Sequence, residues 1–297
     1  MVATIDSLRD TYGVESICAQ LPIAPSTYWR AKAVAADPTR RSARAQDDDR
    51  LMVDIRRVWD EHEQVYGAEK VWRQLKREGV VVARCTVERL MKCLSLTGAV
   101  RGRRFVITTR PGEVDRAPDL VARDFTATRP NQLWVSDFTY VPTADGFVYV
   151  AFVIDVFARW IAGWKVAHAM RTDLVLDALD QAIHQRCDGE PGDLIHHSDR
   201  GVQYLSMRYT ERLADAGIEP SVGSRGDSYD NALAESVIGL YKTEVIARRD
   251  RWTSLEAVEF ATLRWVDFFN HRRLLGPIGF VPPAEYEARY YQQAAVA

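Results

Sequence analysis

Residues 131–157 read NQLWVSDFTYVPTADGFVYVAFVIDVF, and the period of that stretch decides the fold. QLWVSDFTY alternates apolar and polar side chains as a half-buried strand does, and Asp145-Gly146 is a tight-hairpin signal. FVYVAFVIDVF is an apolar run that has to be covered on both faces. RWIAGWKVA (159–167) supplies a third strand. Beyond it come an amphipathic helix TDLVLDALDQAIHQR with Thr172 as expected N-cap, the strand DLIHHSD, the helix MRYTERLADAGI, the short strand EPSVGS and the helix DNALAESVIGLYKTEVI. Three antiparallel strands extended by parallel ones predict an α/β core of ribonuclease-H-like topology, a mixed sheet with helices on both faces.

Upstream the period is helical. VESICAQL and STYWRAKA flank a proline-marked turn, with Pro25 and Ser26 as helix starts, which is helix-turn-helix spacing over residues 1–36. The polar stretch DPTRRSARAQDDDR marks residues 37–49 as a linker. Residues 50–98 give a second helix-turn-helix unit, with helices from about Leu51 to His62, from Ala68 to Glu78 before Gly79, and from near Thr86. In the last, Val87, Leu90, Met91 and Leu94 face a core, leaving Arg89 and Lys92 outward; with Arg84 they form the expected DNA-reading surface. A basic linker at 99–129 follows, whose RGRRFVITTR offers Arg101, Arg103, Arg104 and Arg110 to phosphates or a minor groove. The catalytic core is then expected at 130–247 and a C-terminal helical extension at 248–297.

Net charge is −2, but residues 1–130 hold 23 Lys and Arg against 18 Asp and Glu, and the remainder 16 against 23. A basic part thus precedes an acidic one. No apolar run approaches the ~20 residues that cross a bilayer, and MVATIDSLRD is unlike a secretory signal, so a cytoplasmic protein without a membrane partner is expected. Cys18, Cys85, Cys93 and Cys187 have no zinc-ligand spacing and read as reduced, buried small hydrophobes.

Three acids stand out. Asp137 lies inside an apolar strand, where an unpaired carboxylate is costly unless a cation or hydrogen bonds meet it. Asp199 closes the strand LIHHSD, at the carboxyl end where open sheets place ligands. Glu235 follows GDSYDN on a helix whose angular positions put Asn231, Ile238 and Lys242 on its own side, flanked by Ala232 and Gly239, and Leu233, Val237, Leu240 and Tyr241 opposite. Asp155 competes, but a lone strand aspartate more often pairs with an arginine such as Arg159.

WVSDFTYV, HHSDRGVQY and GDSYDNALAESVIGLYKTE, with 61 residues between the first two acids and 35 between Asp199 and Glu235, resemble the DDE signature of integrase-core transposases. With GVESICAQLPIAPSTYWR, YGAEKVWRQLKREG and WVDFFNHRRLLGPIGFVPPAEYE in order, the whole chain resembles the second-frame protein of the IS-three group of bacterial insertion sequences. Leu275 departs from that pattern, where a polar residue is expected. The resemblance implies two magnesium ions, with manganese as a substitute, held by Asp137, Asp199 and Glu235, and Lys242 as the basic residue seven positions on. It implies hydrolysis of one strand at an element end, then in-line attack by the freed 3′-hydroxyl without a covalent protein intermediate. Asn231 and His197 are expected to support the site, since hard magnesium prefers oxygen to imidazole. Expected partners are double-stranded DNA at terminal repeats and target, an upstream-frame protein or frameshift fusion, and further copies of the chain on DNA. Two other readings are a retroelement-type integrase, disfavoured by the lack of a His/Cys zinc module, and a domesticated DNA-binding regulator with an unused core, disfavoured by retention of the three acids, Asn231 and Lys242.

Overall fold

A computed structural model describes residues 1–100, 121, 125–187, 192–199, 204, 206–222 and 231–295. It opens with three helices, α1 (Val2–Tyr12), α2 (Val14–Gln20) and α3 (Pro25–Ala36), closed over a small core of Ile5, Ile17, Cys18 and Tyr28. Pro25 occupies the first turn of α3, where its missing N–H costs nothing. The stretch expected as a linker is largely helical: a 3-10 turn at Pro38–Arg40 precedes α4 (Ala43–Glu61), whose start is fixed by Ser42 Oγ accepting from the Ala45 N–H. Charged residues are good helix formers once capped, so polarity alone misplaced that start. Next come α5 (Ala68–Arg77) and α6 (Arg84–Cys93), packed through Val71, Leu75, Val87, Leu90 and Met91.

The sheet has five strands: β1 (Leu133–Thr143), β2 (Gly146–Asp155), β3 (Ile161–Ala167), β4 (Ile195–Ser198) and β5 (Glu219–Val222), in the order β3-β2-β1-β4-β5. The first three are antiparallel, and β4 and β5 add in parallel, giving the ribonuclease-H-like mixed sheet. Gly146, at φ 119°, follows the Ala144-Asp145 turn and closes the β1–β2 hairpin. Helices α7 (Thr172–Arg186) and α8 (Met207–Asp215) pack on one face with Trp134, Ala151 and Val153. Gly163 of β3 lets α7 cross close by, since a Cβ there would lie 2.0 Å from the Ala178 carbonyl oxygen. Thr172 is the first helical residue and not the cap; Arg171 holds the cap position, without a side-chain cap bond.

The other face carries α9 (Ala232–Glu244) and α10 (Leu255–His271), and its core of Val135, Phe152, Tyr241, Trp265 and Phe269 runs on without a break into α4–α6. The last helix is α11 (Pro283–Ala294). The C-terminal segment is bound into this body. The Tyr66 hydroxyl donates to Arg272 O at 3.1 Å and accepts from Leu274 N at 2.7 Å, and Arg77 pairs with Glu285. Buried Glu244 meets Arg273 and the Trp265 indole N–H. Asn270 clasps the start of edge strand β3: its Oδ1 accepts from Ile161 N at 2.9 Å and its Nδ2 donates to Ile161 O at 3.0 Å. Leu275, the departure in sequence, is buried and pairs with Val281 through its backbone, which an apolar side chain suits.

Cys18 is buried and Cys187 half-buried, but Cys85 and Cys93 are exposed on α6, against the expectation that all four fill core. No described helix is long and apolar enough to cross a membrane.

Candidate active site

Asp137 sits in β1 opposite Phe152, on the face covered by α9. Its Oδ1 accepts the Phe138 N–H at 2.8 Å. Burial pushes its carboxyl well above the usual range, and the negative charges of Asp199 and Glu235 push it further; the Phe138 N–H and Lys242 pull against them. Three elements contribute these acids: β1, the residue just past β4, and the first turn of α9. The first turn of a helix favours a carboxylate, because unpaired N–H groups point outward there.

The parallel register sets Val135 beside His197 and Ser136 beside Ser198, which brings the end of β4 to the same edge as Asp137. Asn231 fastens α9 to that edge: it is buried, and its Nδ2 donates to Ser136 O at 2.8 Å. Its Oδ1 finds no hydrogen-bond partner among the described residues. Asn231 and Ile238, expected on an open side with Glu235, are thus packed inward, while Glu235 is half-buried and Lys242 exposed. The helix lies flat along β1, so more of its circumference is covered than a two-sided reading allows. The Lys242 amine lies 5.6 Å from the centre of the Tyr140 ring, and Glu244, two residues on, is engaged with Arg273.

His197 is buried, shares a hydrogen bond of 2.9 Å with Ser221 Oγ and meets Phe125 edge-on. His196 points to the opposite face, between Ser136 Oγ at 2.7 Å and the Tyr209 hydroxyl at 3.1 Å; burial, then His197, lowers its pKa to about 3. Asp155 is fully buried and satisfied. It accepts from Asn131 N at 2.6 Å and Phe157 N at 2.8 Å and pairs with Arg186 at 3.4 Å, not with Arg159. Arg159 has positive φ and a buried Nε without a partner among the described residues.

Tyr204, which the sequence reading passed over, is buried between Phe138 and Tyr209. Burial, then Tyr209, then Asp137 and Asp199 keep its hydroxyl protonated. That donor has no partner among the described residues, beside two anions. The only sequence signal was its place at the end of HHSDRGVQY.

Every candidate ligand here is a carboxylate oxygen, the donor type that hard divalent cations take. Among the described residues, no three His, Cys, Asp or Glu side chains already stand as a closed ligand group. The fit therefore lies in the donor set, and a cation would have to draw the three acids together.

On the helical unit upstream, Lys92 is exposed at the end of α6, and Arg84 is exposed and pairs with Glu88 at 3.2 Å. Arg89 keeps part of its side chain exposed, and it is engaged: it holds Asp48 of α4 at 2.7 Å, an acid within the stretch expected to be linker. Arg101, Arg103, Arg104 and Arg110 lie outside the described residues.

The integrase core domain family matches residues 127–228, a second integrase core domain family matches 216–283, and the HTH-like domain family matches 46–104. The chain is 55% identical over 291 residues to the transposase for insertion sequence element IS629 of Shigella sonnei, covering 98% of this chain and 97% of that one. It is 54% identical over 276 residues to the putative transposase for IS986/IS6110 of Mycobacterium tuberculosis, covering 92% of this chain and 98% of that one. Among solved structures it is similar, at 16% identity and a TM-score of 0.43, to the HTLV-2 integrase catalytic core domain in complex with magnesium, across 55% of this chain and 99% of that one.

Proposed function

This chain belongs to the transposases of bacterial insertion sequences, and on that premise we propose that Asp137, Asp199 and Glu235 are the acids with which it cuts and joins DNA. The enzyme is a DDE-type polynucleotidyl transferase with an integrase core and a helix-turn-helix-like domain, and it acts on DNA. What carries the residue assignment is the gathering of three carboxylates, from three separate elements, close enough for Asp199 and Glu235 to raise Asp137.

Divalent cations held by these acids, two magnesium ions or manganese in their place, would supply the charge that activates a water and stabilises the departing 3′ oxygen. The chain's own groups prepare the place. The Phe138 N–H fixes one oxygen of Asp137, Asn231 keeps α9 seated on β1, and Ser221 holds the His197 ring beneath the end of β4. Lys242 lies on the exposed side of α9, where its flexible stem reaches a phosphate without entering the acid cluster. One strand is hydrolysed at the element end, and the freed 3′-hydroxyl attacks target DNA in line, so no protein nucleophile is required.

In the same reading, residues 50–98 with the following basic segment read the element ends, through Arg84, Lys92, Arg101, Arg103 and Arg104. Arg89 acts indirectly, by bracing α6 against α4. The working assembly is a homo-oligomer on DNA together with the upstream-frame protein, in the bacterial cytoplasm. The test is strand cleavage of labelled element ends in magnesium, with and without the upstream-frame protein. Divalent-dependent nicking at the end is expected; DNA binding with no nicking under either condition would leave the regulator reading standing.

A further inference from the structure

Two large aromatic rings stand in the open further along the strand that carries Asp137. Tyr140 and Phe147 are each 55% exposed, and their rings meet edge to face at 5.4 Å across the β1–β2 hairpin. Tyr140 lies three residues beyond Asp137 on the same strand, about 10 Å away by strand rise, and by alternation its ring stands on the other face of the sheet, so the two places meet only around the edge of β1. The pairing of β4 with β1 stops at Ser136, so from Asp137 to Pro142 that side of β1 has no strand neighbour among the described residues, before Thr143 bridges to Trp252. Lys242 bridges the two places: its amine lies over the Tyr140 ring at 5.6 Å while its charge acts on Asp137. A cation, two exposed rings and an open strand edge, next to a site that handles DNA ends, make a platform for a base and its phosphate.

We propose that Tyr140, backed by Phe147, stacks on an unpaired terminal base of the DNA end while Lys242 holds the neighbouring phosphate, so that the platform steadies the opened end for cleavage. This rests on the active-site reading above. The occupant is a nucleobase because the pair joins flat apolar faces to a positive charge, and any base presents a π-face, so the site is indifferent to sequence. The plain alternative is a cross-strand pair that only stabilises the hairpin.

The experiment uses the full-length chain and an element-end duplex carrying 2-aminopurine as the terminal base. In an Asp137→Asn background, where cleavage cannot move the probe, binding should quench the fluorescence; adding Tyr140→Ala should leave it bright, and adding Tyr140→Phe should restore quenching. With Asp137 intact, Tyr140→Ala should slow single-turnover cleavage of a fully paired end about tenfold, and less than about threefold where the terminal pairs are mismatched in advance. Tyr140→Phe should recover most of the loss. Unchanged quenching by Tyr140→Ala, or equal losses on paired and mismatched ends, overturns the platform; a lowered melting temperature with quenching intact marks a hairpin pair and overturns it too. If Asp137→Asn still cleaved, the active-site reading would fail by itself, and the quenching result would still decide the stacking.

Discussion

Asp137 and Asp155 stand on paired strands of one hairpin, opposite Phe152 and Trp134 respectively, and burial raises both carboxyls. Their neighbours act in opposite senses. At the Asp155 end, the Asn131 N–H, the Arg186 guanidinium and the Phe157 N–H pull its pKa back down against a lesser push from Glu287, which Arg186 also holds. At the Asp137 end, two further carboxylates add to the effect of burial, against one N–H and a lysine. Burial alone does not mark a reactive acid; the sign of what surrounds it does. At one end of the sheet a cation sits between the buried acids, and at the other like charges add to burial.

The largest expected effect breaks the Asp137 end. Asp137→Asn should lower cleavage roughly a thousandfold or more, the scale of several kcal/mol of charge stabilisation. Its melting temperature should not fall, because the amide removes a buried charge. Magnesium should raise the melting temperature of the unaltered chain and not of Asp137→Asn, as binding to the folded state alone requires. A variant that lost stability in step with activity would place Asp137 with the structural acids.

Arg186→Met breaks the Asp155 end. It leaves Asp155 and Glu287 buried without their common cation, and denaturant unfolding should show a loss of about 3 kcal/mol. Cleavage per folded molecule, measured at low temperature, should be unchanged; a selective loss of cleavage would extend the active site to this end. Lys242→Ala should slow single-turnover cleavage about a hundredfold without changing the melting temperature, since its role is to position phosphate. Lys242→Arg should keep part of the rate, and full activity of Lys242→Ala would make the lysine mere surface.

The smallest effect concerns His196, which lies on the enclosed face of β4. Its folded pKa of about 3 is below the ordinary 6.5, so between those values the unfolded chain binds more protons. Stability should therefore fall as pH drops from about 6.5 toward 3, by at most about 1.4 kcal/mol per pH unit from this group. Unfolding midpoints at pH 7, 6 and 5, with His196→Asn as reference, isolate its share; identical slopes would show that the ring is not held neutral.

The sheet was legible because its signals are local: alternation in QLWVSDFTY, an unbroken apolar run in β2, a hairpin between them. The three acids stood out through motif spacing together with strand and helix ends, and the push of Asp199 and Glu235 on Asp137 supports that reading. What the sequence hid were partnerships between distant residues. Arg186 reaches Asp155 from 31 positions away, where the nearer Arg159 looked the natural mate. That Asp48 engages Arg89 was hidden because nothing local showed that α4 began early enough to bring it there. α1 was missed because its apolar positions are few and only Ile5 is buried. Tyr204 was hidden because a tyrosine among loop residues has no periodicity to betray its burial.

The clasp of Asn270 on Ile161 ties the outer strand of the sheet to a helix synthesised well after it. Until the ribosome has passed residue 270, the nascent sheet keeps that strand's N–H and carbonyl exposed, a template for pairing with another unfinished chain. Translation that stopped just short of α10 would therefore yield a sticky product and not a smaller working one. The safeguard against self-association lies 109 residues downstream of the strand it covers.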